Sequence, residues 1–381
     1  MRHYHTIVVG AGVAGCCSAY MLQKEGVEVL LIDRSATPAT GGSGAAGAFV
    51  SPKIGKGSPL QHITNEAFCY AQQFYQEHFP SYFHQTGVVR LPKDEEDDQR
   101  FSLYAQAHET SFEWFDEARL KQEGIESAKR GLFFGDAGVC DAPQLCQAIS
   151  KSVLFQQFYL EALYFEEGLW HLKSLEGEML HSQHVILATG YENHLFDMRY
   201  MGVKGTWGSR GDYESATPLK VSMHQRISIS ANAQGIIKLG ATHVKQKDAP
   251  HPCFLCDGKP LQMLEDEAKA MVDVRDFRLK ETFCGMRAGS KDYFPLVGGV
   301  VNVPYMLENY PAVTRGAKPP LEYHPNLYVC NGLGGRGFVF APLMAKWLSE
   351  HIVHHASLDN RVNPDRLFLR WARRAFREEN A

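Results

Sequence analysis

The chain opens on a block of apolar positions, Ile7-Val8-Val9, which three glycines then interrupt at Gly10, Gly12 and Gly15. Beyond them Ala14, Cys17 and Met21 recur on one helical face. An apolar block followed by a period near 3.6 predicts a buried strand, a tight turn and a helix. A second block, Val27-Glu28-Val29-Leu30-Leu31-Ile32, predicts another strand that ends in Asp33. Helical patterning returns over 65–79, a short strand pattern over 88–91, and a buried strand within "HVILATG" over 184–190. Near the C-terminus a strand pattern over 326–331 meets a second glycine-rich turn, "NGLGGRGF", and then an amphipathic helix. Dinucleotide-type signals thus stand at the beginning, middle and end of the chain. The pattern predicts an α/β fold with a discontinuous Rossmann-like domain and a second domain inserted in pieces.

The glycine spacing carries candidate chemistry. In GxGxxG the first glycine permits the turn, the second admits backbone N–H groups to a pyrophosphate, and the third lets helix pack on strand. The helix N-terminus offers partial positive charge to the phosphates. Asp33 lies 18 residues past Gly15, where an acid hydrogen-bonds an adenosine ribose. The stretch "TGGSGAAGAF" (40–49) supports two readings: a flexible loop, or small residues that let backbone approach a flat cofactor.

Composition narrows the class. With 381 residues, 44% hydrophobic and 22% charged, the chain is long enough for two domains of an ordinary globular protein. No apolar run approaches the roughly 20 residues of a membrane span. The N-terminal apolar stretch runs straight into a fold element, unlike a signal peptide. Nine dispersed cysteines fit a reducing compartment, so the cytoplasm is expected. A net charge of −4 gives no global argument for nucleic acid. The run Asp94-Glu95-Glu96-Asp97-Asp98 reads as a solvated, self-repelling turn.

Together, the N-terminal turn with Asp33, the central "ATG" turn and the C-terminal "NGLGGRGF" resemble the D-amino-acid-oxidase superfamily of FAD enzymes, which includes glycine and sarcosine oxidases. Three more stretches narrow the likeness: "GSGAAGAFVSPK" (42–53), "CGMRAGSKDYFPLVG" (284–298) and "NPDRLFLRWARR" (363–374). In that order they resemble the FAD-dependent oxidoreductase module of the bifunctional tRNA 5-methylaminomethyl-2-thiouridine biosynthesis proteins. The likeness spans essentially the whole chain. Two departures are visible. Those proteins carry an N-terminal methyltransferase domain, whereas here the glycine motif begins at Gly10, so methylation is expected from a separate protein. Where Ser-Gly-Asn-x-x-Gly is expected, the chain reads Ser43-Gly44-Ala45-Ala46-Gly47, one residue shorter and without the Asn.

The resemblance implies a Rossmann-like FAD domain over 1–85, 140–197 and 290–381. It also implies a smaller α+β substrate domain, built on an antiparallel sheet, over 86–139 and 198–289. It implies non-covalent FAD held by Gly10, Gly12, Gly15, Asp33, Arg34, Ser43, Gly44, Gly47, Ala188, Gly190, Gly332, Gly334, Gly335, Arg336, Gly337 and Phe338. The implied reaction removes the carboxymethyl group, as glyoxylate, from 5-carboxymethylaminomethyl-uridine at the tRNA wobble position. A free amino acid or N-alkyl-glycine is the alternative substrate, because the same flavin and the same arginine would serve it.

Hydride leaves the CH₂ beside a secondary amine, and water hydrolyses the imine, so the protein chiefly orients the substrate. Arg287 in "CGMRAG" is the expected catalytic clamp, its guanidinium fork matching a carboxylate. The alternative is a surface or ion-paired arginine. Arg336 reads as a charge partner of the reduced flavin, an FAD contact, or a structural arginine of its turn. Sarcosine oxidases tether flavin through a cysteine near the position of Cys284, but the spacing to Asp292 differs, which favours a packed thiol. Cys253 and Cys256 form a single CxxC beside His251, too little for a metal site, and none is expected. At the C-terminus Arg366, Arg370, Arg373, Arg374 and Arg377 fall on one helical face without interleaved acids. That face is either simply solvated or a strip contacting tRNA phosphates.

Overall fold

The computed structural model describes residues 3–126, 129–192, 195–245 and 258–379, with side chains described as far as Ala375. The CxxC of Cys253 and Cys256 and the neighbouring His251 lie outside these residues.

The opening pattern folds as its periodicities dictate. Strand β1 (His3–Val9) leads through the glycine turn into helix α1 (Val13–Lys24), and β2 (Val29–Asp33) follows. Helix α2 (Pro59–His78) extends the 65–79 pattern backwards to a proper start, where Ser58 Oγ accepts from Gln61 N at 3.2 Å. Strands β3 (Leu154–Gln157) and β4 (Met179–Leu187) come next, then β5 (Lys204–Glu214) and β6 (Arg278–Gly289). The chain closes with β7 (Leu296–Val301), β8 (Tyr323–Asn331), α3 (Gly337–His354) and α4 (Phe368–Glu379).

Among the described residues the strands form two large sheets. In the first, β3, β2, β1, β4 and β8 lie side by side in parallel, with β7 antiparallel on β8. An antiparallel hairpin, Leu160–Glu166 with Leu169–Ser174, pairs with the first part of β4. Helix α3 packs against α1 and α2 on one face of this sheet. Ile7, Val8, Leu30, Leu31 and Ile32 are fully buried, as a parallel sheet covered on both faces requires.

The second sheet is largely antiparallel. Its order is β6, β5, then Ile236–Gly240, Ser228–Ile229, Ser222–His224, Val88–Arg90, Arg130–Phe134 and Glu113–Asp116. The architecture is the expected α/β arrangement of a Rossmann-like part and an antiparallel-sheet part.

The acidic run departs from expectation. Asp94 caps a helix, Glu95–Gln106, its side chain accepting from Asp97 N at 2.9 Å, and the other acids occupy the first turn. There they complement the positive helix end, which outweighs their mutual repulsion.

One substitution tests the packing under the glycine turns. Pro342 lies inside α3 and has no N–H to give the carbonyl four residues earlier. That carbonyl, on Phe338, instead accepts from the hydroxyl of the fully buried Tyr75 at 2.9 Å. Tyr75→Phe leaves the carbonyl without a donor and should cost about 1–3 kcal/mol. Thermal unfolding of parent and variant checks it, and an unchanged melting temperature would remove the role assigned to this bond.

Candidate functional site

Three backbone turns converge because side chains are missing where they meet. Gly10 has φ +101°, and a Cβ there would lie 2.6 Å from the Ala188 carbonyl oxygen. A Cβ on Gly15 would lie 1.8 Å from the Gly10 oxygen. The two turns therefore touch backbone to backbone. Asn331 joins them to the third turn: its Nδ2 donates to Gly190 O at 2.7 Å, and its Oδ1 accepts from Gly332 N at 2.8 Å. Gly332 and Gly334 have φ of +71° and +58°, and a Cβ on Gly337 would sit 3.2 Å from Val13 Cγ1. Arg336, Gly337 and Phe338 thus start α3 beside the start of α1.

Asp33 accepts from Ala11 N at 2.7 Å and from Ser35 N at 2.8 Å. A carboxylate has about four acceptor positions, so lone pairs remain for ribose hydroxyls. Ser43 Oγ accepts from Val13 N at 2.9 Å. A Cβ on Gly12 would lie 3.1 Å from that oxygen, and one on Gly44 would lie 1.9 Å from Ala39 O. Gly47 leaves room for the Phe49 ring. Arg34 is paired with Glu192 at 2.8 Å, both half-exposed at the cavity edge.

The 40–47 loop is anchored rather than free. A Cβ on Gly42 would lie 2.4 Å from Met286 O, and one on Gly285 would lie 2.7 Å from Gly42 Cα. Arg210 on β5, buried and paired with Asp212 at 2.8 Å, also donates to Ala46 O.

All these elements line one cavity of about 520 Å³. The first turn of α1 holds no acid, so its positive end faces the cavity uncompensated. The turns without Cβ room, the open helix end and the Asp33 carboxylate fit FAD.

Arg287 reaches the same cavity from β6. Its Nη1 donates to Thr242 O at 3.0 Å. A Cβ on Gly208, on the neighbouring β5, would lie 2.3 Å from Nη2, so only glycine leaves the guanidinium its place. Among the described residues no carboxylate pairs with it. Burial pulls its pKa below the usual arginine range, and the neighbouring His243 is lowered by burial and then by Arg287. Strand alternation sets Cys284 on the opposite face of β6 from Arg287. Burial pushes the Cys284 thiol up to about 11, which leaves it protonated and a poor nucleophile.

Several cavity residues carry no local sequence signal. Arg90 ends a short strand, and His224 lies directly beside it in the register of the parallel pair Ser222–His224 and Val88–Arg90. His224 Nε2 is 3.1 Å from Ser51 Oγ, and its Nδ1 is 2.5 Å from Ser228 Oγ. Only the sheet order brings these residues together.

The C-terminal strip is divided. Arg366 precedes α4, on a 3-10 turn, Pro364–Leu367. It pairs with Asp292 at 3.0 Å and donates to the carbonyls of Val362 and Asn363. Its expected place on a phosphate-facing strip is therefore corrected: its donors are spent inside the protein. Arg370, Arg373 and Arg374 are exposed on α4, while Phe368 and Ala372 are buried. The side chain of Arg377 lies outside the described residues.

A parallel sheet with three glycine turns around a dinucleotide cavity, closed by an antiparallel sheet that brings Arg287 to it, is the arrangement of an FAD-dependent oxidoreductase. The family model described as FAD dependent oxidoreductase (DAO) matches residues 5–351, and the chain belongs to that family. It is 26% identical over 361 residues to the tRNA 5-methylaminomethyl-2-thiouridine biosynthesis bifunctional protein MnmC of Legionella pneumophila, covering 90% of this chain and 53% of that protein. The chain thus spans about half the length of such relatives. Glycine oxidase from Bacillus cereus shares the fold with a TM-score of 0.76 at 17% identity, covering 93% of this chain and 96% of that one. Iminodiacetate oxidase from Chelativorans shares it with a TM-score of 0.75 at 15% identity, covering 94% and 99%. No described helix is long and apolar enough to cross a membrane.

The placement of Cys284 predicts that the flavin is held without a covalent bond. Acid precipitation should release the yellow colour into the supernatant. Colour retained in the pellet by the parent but released in Cys284→Ala would show a tether.

Proposed function

We propose that the protein oxidises the carboxymethylamino group of 5-carboxymethylaminomethyl-(2-thio)uridine at the tRNA wobble position, leaving 5-aminomethyl-(2-thio)uridine and glyoxylate. The observation that carries the reading is Arg287, a guanidinium in the cavity without a carboxylate partner among the described residues, with Gly208 vacated beneath it. A substrate carboxylate supplies the partner through two parallel hydrogen bonds. The resemblance to MnmC supplies the choice of polymer.

Bound FAD supplies a two-electron acceptor. The chain's residues would bind and position the rest. Arg287 holds the carboxylate and so fixes the adjacent CH₂ toward the cofactor side of the cavity. The amine must present its free lone pair, and the positive field of Arg287 and Arg336 disfavours the ammonium form. Loss of hydride from the carboxymethyl CH₂ and of the proton on nitrogen leaves a C=N bond. Water adds to that carbon, the C–N bond breaks, and a primary amine and glyoxylate separate. The primary amine is the substrate of an N-methyl transfer, which this reading assigns to a separate methyltransferase. A free N-alkyl-glycine would meet the same arginine, and the exposed Arg370, Arg373 and Arg374 are what favour tRNA over it.

Two experiments test the reading. Anaerobic mixing with modified tRNA should bleach the flavin, and Arg287→Lys, which keeps the charge but loses the fork, should slow bleaching about ten- to a hundredfold at unchanged FAD content. Unchanged reduction by modified tRNA removes Arg287 from the site. Bleaching by glycine or sarcosine alone supports the amino-acid reading instead.

Replacing Arg370, Arg373 and Arg374 together with Gln should weaken tRNA binding and flatten its salt dependence, each lost phosphate contact lowering the log–log slope by about 0.7–0.9. FAD content and melting temperature should hold. Equal tRNA affinity across salt concentrations would make the strip a solvated face only.

A further inference from the structure

The cavity side of the antiparallel sheet carries two polar ends separated by small residues. Side chains paired across neighbouring strands share a face. His224 pairs with Ser228, Ser228 with Gly240, Gly240 with Arg210, and Arg210 with Phe283 on β6. Strand alternation from Phe283 returns Arg287 to that same face. One face therefore runs from Arg287 to Ser228 and His224, and all three line the cavity.

The ground between the two ends is low. Gly240 has no side chain and Ala241 only a methyl, and both line the cavity. Arg210 is occupied with Asp212 and the Ala46 carbonyl, its guanidinium 3.8 Å from the centre of the Phe283 ring. After Gly240 the chain continues along β5, where Ser209 N donates to Thr242 Oγ1 at 2.9 Å. The Thr242 carbonyl in turn holds the Arg287 guanidinium. One strand spacing of ~4.8 Å and two residues at ~3.3 Å put Ser228 about 8 Å from Thr242, backbone to backbone.

The far end is polar and uncharged. His224 Nδ1 lies 2.5 Å from Ser228 Oγ, and Nε2 lies 3.1 Å from Ser51 Oγ, so both ring nitrogens are engaged. The Phe49 ring stands 4.8 Å from the imidazole. Burial, then Arg90 and Arg336, holds His224 well below the ordinary histidine range, which keeps the ring neutral. A hydroxyl has one donor and two acceptor positions, and His224 takes up one of the three on Ser228. Among the described residues no other group hydrogen-bonds that hydroxyl, so the rest of its capacity is open to a ligand.

We propose that Ser228, held by His224 and Ser51, hydrogen-bonds the C4 carbonyl edge of the substrate's pyrimidine ring while Arg287 holds the carboxylate. This rests on the reading of the substrate as a modified uridine. In that substrate six bonds separate the carboxyl carbon from the C4 oxygen, an extended reach of about 7 Å, on the scale of the floor between Thr242 and Ser228. Glycine and sarcosine are too short to touch both ends. A neutral hydroxyl and imidazole suit a neutral base edge, so the ring is recognised without further charge in the cavity.

The test compares 5-carboxymethylaminomethyl-uracil with N-benzylglycine, which carries the same arm on a phenyl ring that has no polar edge. Both are mixed anaerobically with the FAD-loaded enzyme. Half-saturation is read from flavin reduction or, for N-benzylglycine, from competition with the uracil compound. Ser228→Ala should raise the half-saturating concentration of the uracil compound about three- to tenfold relative to that of N-benzylglycine, the scale of one net hydrogen bond. Ser228→Thr, which keeps the hydroxyl, should restore the parent ratio, which a purely structural role for the serine would not predict. FAD content and melting temperature report whether each variant is folded.

An equal rise for both compounds shows that Ser228 serves the common arm or the fold, and overturns the ring assignment. No rise for either overturns it as well. Both results leave the wobble-uridine reading standing. Reduction by glycine or sarcosine, but by neither the uracil compound nor modified tRNA, overturns that reading itself.

Discussion

The contact of Gly15 on the carbonyl of Gly10, with Gly10 in turn against the Ala188 carbonyl, is the constraint on which the rest of the fold depends. With 1.8 and 2.6 Å to the positions where a Cβ would stand, neither place admits any side chain. The close approach sets α1 on β1 and fixes the spacing of β1 and β4, whose parallel pairing runs from His3 with His181 to Val9 with Leu187. Once β1 and β4 are set, β8 falls beside β4 and delivers Asn331 to the gap between two turns. The helix end can then face the cavity with its positive charge uncompensated. Phosphate binding by backbone is thus a consequence of packing without side chains rather than of any one polar residue.

The same device joins the two sheets. Gly42 and Gly285 meet backbone to backbone, and Arg210 grips the Ala46 carbonyl from β5. The Ala45–Gly47 segment therefore belongs mechanically to both sheets. A cofactor lying along it would be held between a parallel sheet that supplies neutral backbone donors and an antiparallel sheet that supplies charge. This division explains how a chain of net charge −4 can hold a strongly positive cavity. The acids are spent elsewhere, as helix caps at Asp94 and Asp116, in surface pairs, and at Asp292 against Arg366.

What was legible in the sequence was local in the chain. The N-terminal glycine turn, Asp33 and the two strands around them are written within some 30 residues, and their spacing alone carries that part of the geometry. Arg287 was legible through resemblance, and its setting was not: Gly208 and Thr242 come from other strands. Arg366 was misplaced because helical periodicity assumes a helix, and it sits on a 3-10 turn whose decisive partner, Asp292, is 74 residues away. Arg34 likewise finds Glu192, 158 residues on. The acidic run misled in the other direction, since charge repulsion was visible in the sequence but the capping geometry of Asp94 was not. Arg90 and His224 had no signal at all, because their adjacency comes from the parallel pairing of two short strands distant in the chain.

That asymmetry follows from how the two halves of the site are built. A cofactor common to many reactions is held by backbone, which any sequence with glycines in the right places provides. A substrate is held by side chains whose neighbours are set by sheet order, so its recognition can change with single residues while the cofactor cradle stays intact. Gly208 marks the boundary between the two regimes. It has no side chain, as in the cradle, yet what it makes room for is a guanidinium: a Cβ there would lie 2.3 Å from Arg287 Nη2, so a larger residue would displace the guanidinium from its present position. With Arg287 as the proposed substrate clamp, its reach is set as much by where the antiparallel sheet omits a side chain as by the charge it carries.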